Sequence, residues 1–204
     1  LSVLTVPSAE DMLAGRVAIS QIRQVQLEDL LGREPVRLDE KGLNDWLSGR
    51  IVLVTGAGGS IGSELARQIA RFAPSRIVLF DVSEFALYQI EQEFLRCYPR
   101  VDIACIVGDV KDVALLDRVF ANYRPSTVFH AAAYKHVPLM EGENAWQAVR
   151  NNVLGSKRVA EAAIRHGADE MVLISTDKAV NPTNVMGATK RLAERVLAVL
   201  QREG

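Results

Sequence analysis

From residue 50 onward, short apolar runs alternate with longer stretches in which apolar residues recur every three or four positions. Runs of four to seven β-formers read as strands buried on both faces, and the 3.6-residue period between them reads as helices with one apolar side. Strand Ile51–Thr55 precedes a helix over 60–72, where Ile61, Leu65 and Ile69 recur at i, i+4 and i+8. Strand Arg76–Asp81 precedes a helix over 83–95 with Leu87, Ile90 and Phe94 inward. A strand over 101–107 precedes a helix over 111–122 with Val113, Leu116 and Phe120 inward. Strand Thr127–His130 leads through a long loop to a helix over 144–166, ended by Gly167. A fifth strand over 170–175 is followed by a helix over 187–201. This alternation predicts an α/β fold, a doubly wound parallel sheet of Rossmann type with strand order 3-2-1-4-5. Ligands of such sheets bind beyond the carboxyl ends of the strands, here between strands 1 and 4.

Residues 1–49 lack that rhythm. Residues 1–6 and 21–27 read as short strands, broken by Pro7, Gly15, Gly32 and Pro35. Residues 39–47 read as a short helix with Leu43, Trp46 and Leu47 on one side. The stretch 1–49 is expected to be a linker or the end of a preceding domain, and 50–204 the Rossmann domain.

Composition narrows the class without naming it. Apolar content is 49% and the formal net charge −1, an ordinary globular balance. Basic residues are scattered among acids, with no stripe for nucleic acid. Two cysteines, Cys97 and Cys105, lack metal-ligand spacing and are too few for a disulfide framework, so a reducing compartment and no metal are expected. No apolar run reaches the ~18–20 residues of a membrane span.

The chemistry is concentrated at strand ends. Strand 1 runs into Thr55-Gly56-Ala57-Gly58-Gly59-Ser60-Ile61-Gly62, a glycine-rich turn opening a helix. Glycines let backbone N–H groups approach a pyrophosphate, whose charge the helix N-terminus favours. Asp81 closes strand 2, where an acid would accept from the adenosine ribose hydroxyls and disfavour a 2′-phosphate. NAD is therefore the expected cofactor, with NADP a possibility that the nearby Arg76 keeps open. After strand 3, Asp109 and Val110 would face the adenine; Asp109 reads equally well as the N-cap of the next helix. After strand 4, Ala131 and Ala132 would let a flat cofactor lie against the backbone, and Lys135 and His136 follow. Strand 5 ends in Ser175-Thr176-Asp177-Lys178: a hydroxyl, a carboxylate and an amine in succession.

These motifs carry a resemblance. Thr55-Gly56-x-x-Gly59-x-x-Gly62, the run His130–Ala133, Asn152-Val153-Leu154-Gly155 and a strand-5 hydroxyl with a downstream lysine resemble the extended short-chain dehydrogenase/reductases. His130-Ala-Ala-Ala-Tyr-Lys-His-Val-Pro-Leu-Met-Glu141 and Ser175-Thr-Asp-Lys-Ala-Val-Asn-Pro-Thr-Asn-Val-Met-Gly-Ala-Thr-Lys190 are similar to the large, membrane-anchored bacterial UDP-N-acetylglucosamine 4,6-dehydratases of surface-polysaccharide synthesis. The resemblance covers about residues 50–204.

It implies a redox-neutral lyase acting on a nucleotide sugar: oxidation at C4, loss of water across C5 and C6, and reduction at C6. Thr176 would hydrogen-bond O4, Asp177 would protonate the leaving C6 hydroxyl, and Lys178 would take the C5 proton as a neutral, desolvated amine. Lys190 would bind the nicotinamide ribose, and Lys135 and Asn152 the substrate. Where the superfamily has Tyr-x-x-x-Lys, this chain has Met186-Gly-Ala-Thr-Lys190, and a thioether exchanges no proton, so the base acting on O4 is left unassigned. The resembled dehydratases share that methionine. A UDP-sugar 4-epimerase is the alternative enzyme, and an inactive dinucleotide-binding regulatory module the alternative of another class. The resemblance further implies a substrate-binding subdomain beyond Gly204, homo-oligomers, membrane contact only through segments outside this chain, and a place on the cytoplasmic face of the bacterial inner membrane. Without that subdomain the chain is expected to bind cofactor but turn nothing over, and to expose Leu192, Val196 and Val199 on its last helix.

Overall fold

The computed structural model describes residues 4–5, 23–24 and 39–203. Strands Leu4–Thr5 and Arg23–Gln24 pair antiparallel, with Leu4 opposite Gln24, inside the two segments read as extended. They belong to a unit ending at Asp39, and Glu40–Gly204 forms a second unit.

Helix α1 (Glu40–Leu47) opens that second unit, although it lies in the stretch read as a lead-in. Its apolar side explains why it packs there. Leu47 is buried in the core, the Trp46 ring lies 5.6 Å from that of Phe129, and the Trp46 indole N–H donates to Glu170. Arg50 and Asp169 pair at 2.9 Å just beyond the helix.

The sheet holds five parallel strands: β1 (Ile51–Thr55), β2 (Arg76–Asp81), β3 (Ile103–Val107), β4 (Thr127–His130) and β5 (Glu170–Leu173), in the order β3-β2-β1-β4-β5. Successive residues of a strand face opposite sides, and the two cores divide accordingly. Val52, Val54, Ile77 and Leu79 pack with α2 (Ser60–Ala70) and α3 (Glu84–Cys97) through Ala66, Ile69, Ile90 and Phe94. Leu53, Val78, Phe80 and Val128 face the other way. They meet Leu116 and Phe120 of α4 (Val113–Tyr123) and Val159 and Ala163 of α6 (Ser156–Arg165).

Two helix-face readings are corrected. Ile61 and Val113 are exposed, at 51% and 44%, because each sits in the first turn of its helix with no layer packed over it. The N-cap of α4 is Asp112, whose carboxylate accepts from the Leu115 N–H, so Asp109 is not the cap. Ser83 caps α3 in the same way.

The helix read over 144–166 is helical throughout but not uniform. A short α5 (Ala145–Ala148) passes into a π-helical segment (Val149–Gly155) and then α6. A π segment widens the helix and often marks a functional site; here it carries Asn151, which bonds Lys111 beyond β3, and Asn152, which bonds Tyr134 beyond β4. The last helix, α7 (Val185–Glu203), begins two residues earlier than the periodicity suggests, and it exposes Leu192 and Val199. Among the described residues no helix is long and apolar enough to cross a membrane.

Candidate active site

The register sets the carboxyl ends of three strands side by side: Thr55 lies opposite Phe80 on β2 and His130 on β4. Above them opens a cleft of about 270 Å3 lined by the glycine-rich turn, Asp81, the segment 108–111, Ala131–Tyr134 and Asn151.

The glycines fit their places for distinct reasons. Gly56 has φ +69, and a Cβ there would lie 2.6 Å from the backbone nitrogen of Ala132, so β1 and the β4 loop touch backbone to backbone. A Cβ on Gly62 would fall 2.0 Å from the Gly56 carbonyl oxygen, so α2 begins directly against the turn. Gly59 is the N-cap of α2, and Ser60 and Ile61 form its exposed first residues. Asp81 ties this turn to the β2 end: Oδ2 accepts from the Gly58 N–H and Oδ1 from the Ser83 N–H, both at 2.8 Å. An ionised carboxylate has about four acceptor positions, so two stay available to ribose hydroxyls.

At the β3 end, Lys111 grips Asp109 twice. Its backbone N–H donates to Oδ1 and its ammonium to Oδ2, each at 2.8 Å. Burial pushes the Asp109 carboxyl up, but the two Lys111 bonds and the Arg150 charge outweigh it and hold the group below its usual range. Val110 is buried against Gly155.

Beneath the cleft runs a buried polar chain that sequence reasoning did not find. The Ser156 hydroxyl donates to the Asn152 carbonyl at 2.6 Å, so it accepts from His130 Nε2 at 2.9 Å. His130 Nδ1 is then the acceptor for the Thr55 hydroxyl at 2.6 Å. A strand-end histidine was visible, but its partners lie 75 and 26 residues away in sequence. His130 is 1% exposed, and burial, with the Lys190 charge adding to it, pushes its pKa down to about 3.

Asn152, expected at the substrate, is instead a fully buried brace. Its amide oxygen accepts from the Tyr134 N–H, and its amide nitrogen donates to the Tyr134 carbonyl and the Thr189 hydroxyl. It fixes the β4 loop to α7 and has no donor left for a ligand. Lys135 is exposed. With His136, Leu139 and Asn144 it lines a second hollow, which shares Ala133 and Tyr134 with the cleft.

Beyond β5 the Thr176 hydroxyl donates to Asp177 Oδ1 at 2.9 Å, and the Lys178 ammonium lies 3.7 Å from the same oxygen. The Thr176 bond, followed by the Lys178 charge, holds the Asp177 carboxyl below its usual range. The expectation of a desolvated Lys178 is not met: its side chain is 52% exposed. The desolvated amine is Lys190. It is 6% exposed, donates to the Ile174 carbonyl, and has its pKa lowered by burial against an opposing pull from Glu194. Met186 packs in a small core with Met140 and Ala148.

The cleft fits an adenine dinucleotide on its own geometry: a backbone cradle that any Cβ at Gly56 would fill, a helix N-terminus, and a ribose-level carboxylate. Residues 52–204 match the family model described as polysaccharide biosynthesis protein. The chain belongs to this family. It is an extended short-chain dehydrogenase/reductase-like chain, as its sheet order and motifs require. Over all of its 204 residues it is 45% identical to the capsular polysaccharide biosynthesis protein CapD of Staphylococcus aureus, of which it covers 34%. It is 31% identical over 150 residues to a UDP-N-acetylglucosamine 4,6-dehydratase (inverting) of Campylobacter jejuni, 73% of this chain and 43% of the relative. It is 34% identical over 151 residues to a UDP-glucose 4-epimerase of Rickettsia massiliae, 72% of this chain and 42% of the relative. Among solved structures it is similar to the Bordetella bronchiseptica enzyme WbmG in complex with NAD. There the TM-score is 0.60 at 25% identity, covering 79% of this chain and 52% of that one. The chain thus spans about a third to under a half of the length of these curated relatives. These relatives bear the names of both dehydratases and epimerases of nucleotide sugars.

Proposed function

We propose that this chain is the cofactor-binding and catalytic part of an NAD-dependent nucleotide-sugar 4,6-dehydratase that converts UDP-N-acetylglucosamine to a 4-keto-6-deoxy sugar for surface polysaccharide. The observation that carries this reading is the pairing of Asp177 with Lys178, beside the Thr176 hydroxyl, at the carboxyl end of β5. Elimination of water needs an acid at the C6 hydroxyl and a base at C5; epimerisation at C4 needs neither. The name of the Campylobacter relative supports the same substrate class.

When bound, the nicotinamide supplies oxidation at C4 and the matching reduction at C6. The chain supplies the rest. Asp81 and the glycine-rich turn would hold the dinucleotide, Lys190 would bind its nicotinamide ribose, and Thr176 would orient O4 of the sugar. Asp177 and Lys178 are an ion pair while water covers them, and that is the wrong protonation for both roles. Covering them with a sugar nucleotide takes both charges out of water, which makes the separated ion pair costly. A single proton moving from Lys178 to Asp177 then creates the acid and the base together.

The test is Asp177→Asn and Lys178→Met in the full-length protein. NAD binding should be unchanged, while dehydration falls by on the order of 100- to 10,000-fold. Undiminished turnover in either variant would refute the assignment. The epimerase reading is favoured by the name of the Rickettsia relative. It predicts a product of unchanged mass and little effect of Lys178→Met.

A further inference from the structure

We infer that Lys111 is a positioning residue that sets base specificity in the cofactor cleft: by clamping Asp109 it selects a dinucleotide whose base carries an exocyclic amino group. The inference rests on the dinucleotide reading of the cleft, in which Asp109 faces the adenine, and adds to it the residue that positions Asp109.

Lys111 is held from four directions. Its ammonium bonds Asp109 Oδ2 at 2.8 Å and Asn151 Oδ1 at 3.2 Å, and lies 5.9 Å from the centroid of the Tyr134 ring. Its backbone N–H bonds Asp109 Oδ1, and its carbonyl accepts from Arg158 on α6. The side chain is 18% exposed, low for a lysine, and Asp109, Lys111, Tyr134 and Asn151 all line the cleft. Among those lining residues Lys111 is the one cation, and Asp81 and Asp109 are the acids.

The chemical consequence lies in what Asp109 can present. As a carboxylate it only accepts, so it pairs with an amino group and repels a carbonyl oxygen. As a carboxylic acid it would also donate, and the discrimination would be lost. Burial favours the neutral acid; Lys111 on the same loop and Arg150 on the π-helical segment oppose it. Clamping both oxygens also holds the carboxylate in one orientation at the cleft wall.

The experiment compares the binding of NAD with that of nicotinamide hypoxanthine dinucleotide, whose base has a carbonyl where adenine has an amino group. Calorimetry on the unaltered chain should favour NAD by on the order of 10- to 100-fold. Lys111→Met should bring the ratio toward one and make it pH-dependent, while Lys111→Arg restores it. Asp109→Asn should collapse the ratio too, and adding Lys111→Met to it should change the ratio no further. If Lys111→Met weakens both dinucleotides equally, Lys111 is structural and the assignment is overturned. If the unaltered chain binds neither dinucleotide, the cofactor reading itself falls, and this assignment with it.

Discussion

Acid should weaken this fold in part through His130. His130 sits at 1% exposure between the Thr55 and Ser156 hydroxyls, and its pKa is pushed down to about 3 from 6.5. The folded chain therefore refuses a proton that the unfolded chain accepts below about pH 6.5. A depressed folded pKa means that the stabilisation is present in full above the unfolded value and is lost as pH falls toward the folded one. Each pH unit well inside that window costs ~1.4 kcal/mol, and falling from pH 6.5, where the unfolded ring is half protonated, to pH 4.5 costs roughly 2.3 kcal/mol from this group alone. The limit below pH 3 is on the order of 5 kcal/mol, comparable with the whole stability of many domains. Urea denaturation at pH 7.5, 6.5, 5.5 and 4.5 measures it, with His130→Gln as the control. The variant loses stability at neutral pH, because one of the two hydroxyls is left unpaired, at ~1–3 kcal/mol. Its curve should nevertheless be flatter in acid by about the slope His130 supplies. Contributions from carboxylates and from the other histidines are common to both proteins and cancel in the difference. Parallel stability curves would refute the claim that His130 is held neutral.

Three further outcomes follow from the same geometry. Gly62→Ala places a Cβ 2.0 Å from the Gly56 carbonyl, so it should cost ~1–3 kcal/mol and weaken dinucleotide binding; an unchanged melt and unchanged calorimetry would contradict the packing. Thr127 Oγ1 on β4 is buried without a hydrogen-bond partner, so Thr127→Val should stabilise by ~1 kcal/mol in denaturant titrations, and a loss of stability would reveal a missed partner. Asp81 should make the chain bind NAD more tightly than NADP, with Asp81→Asn narrowing the gap by about tenfold because a carboxylate repels the 2′-phosphate; tighter binding of NADP by the unaltered chain would reverse that reading.

Much of the fold was legible because parallel strands buried on both faces write themselves as unbroken apolar runs, as in Ile51–Thr55 and Arg76–Asp81. The strand order β3-β2-β1-β4-β5 is the one expected of a dinucleotide-binding doubly wound sheet, to which the glycine-rich turn after the first strand points. What stayed hidden depends on contacts between distant residues. Periodicity over 144–166 cannot separate α from π winding, so the π segment that carries Asn151 and Asn152 was not visible, and Asn152 was read as a ligand rather than a brace. Asp109 resembles a cap in sequence because it is an acid just before a helix; the structure assigns the cap to Asp112 and leaves Asp109 to Lys111. Lys111 itself reads as an ordinary residue near a helix start. Charge type was readable at Lys178 and Lys190, but burial was not: Lys178, expected to be desolvated, is 52% exposed, and Lys190 is 6% exposed.

The measurement that bears most directly on the whole account is the mass of the nucleotide sugar after UDP-N-acetylglucosamine is incubated with the full-length protein and NAD. The Asp177–Lys178 pair predicts loss of one water, with one solvent deuteron entering at C5 in heavy water as Lys178 exchanges the proton it removed. A sugar recovered at unchanged mass with inverted C4 would contradict that prediction and make the chain part of an epimerase.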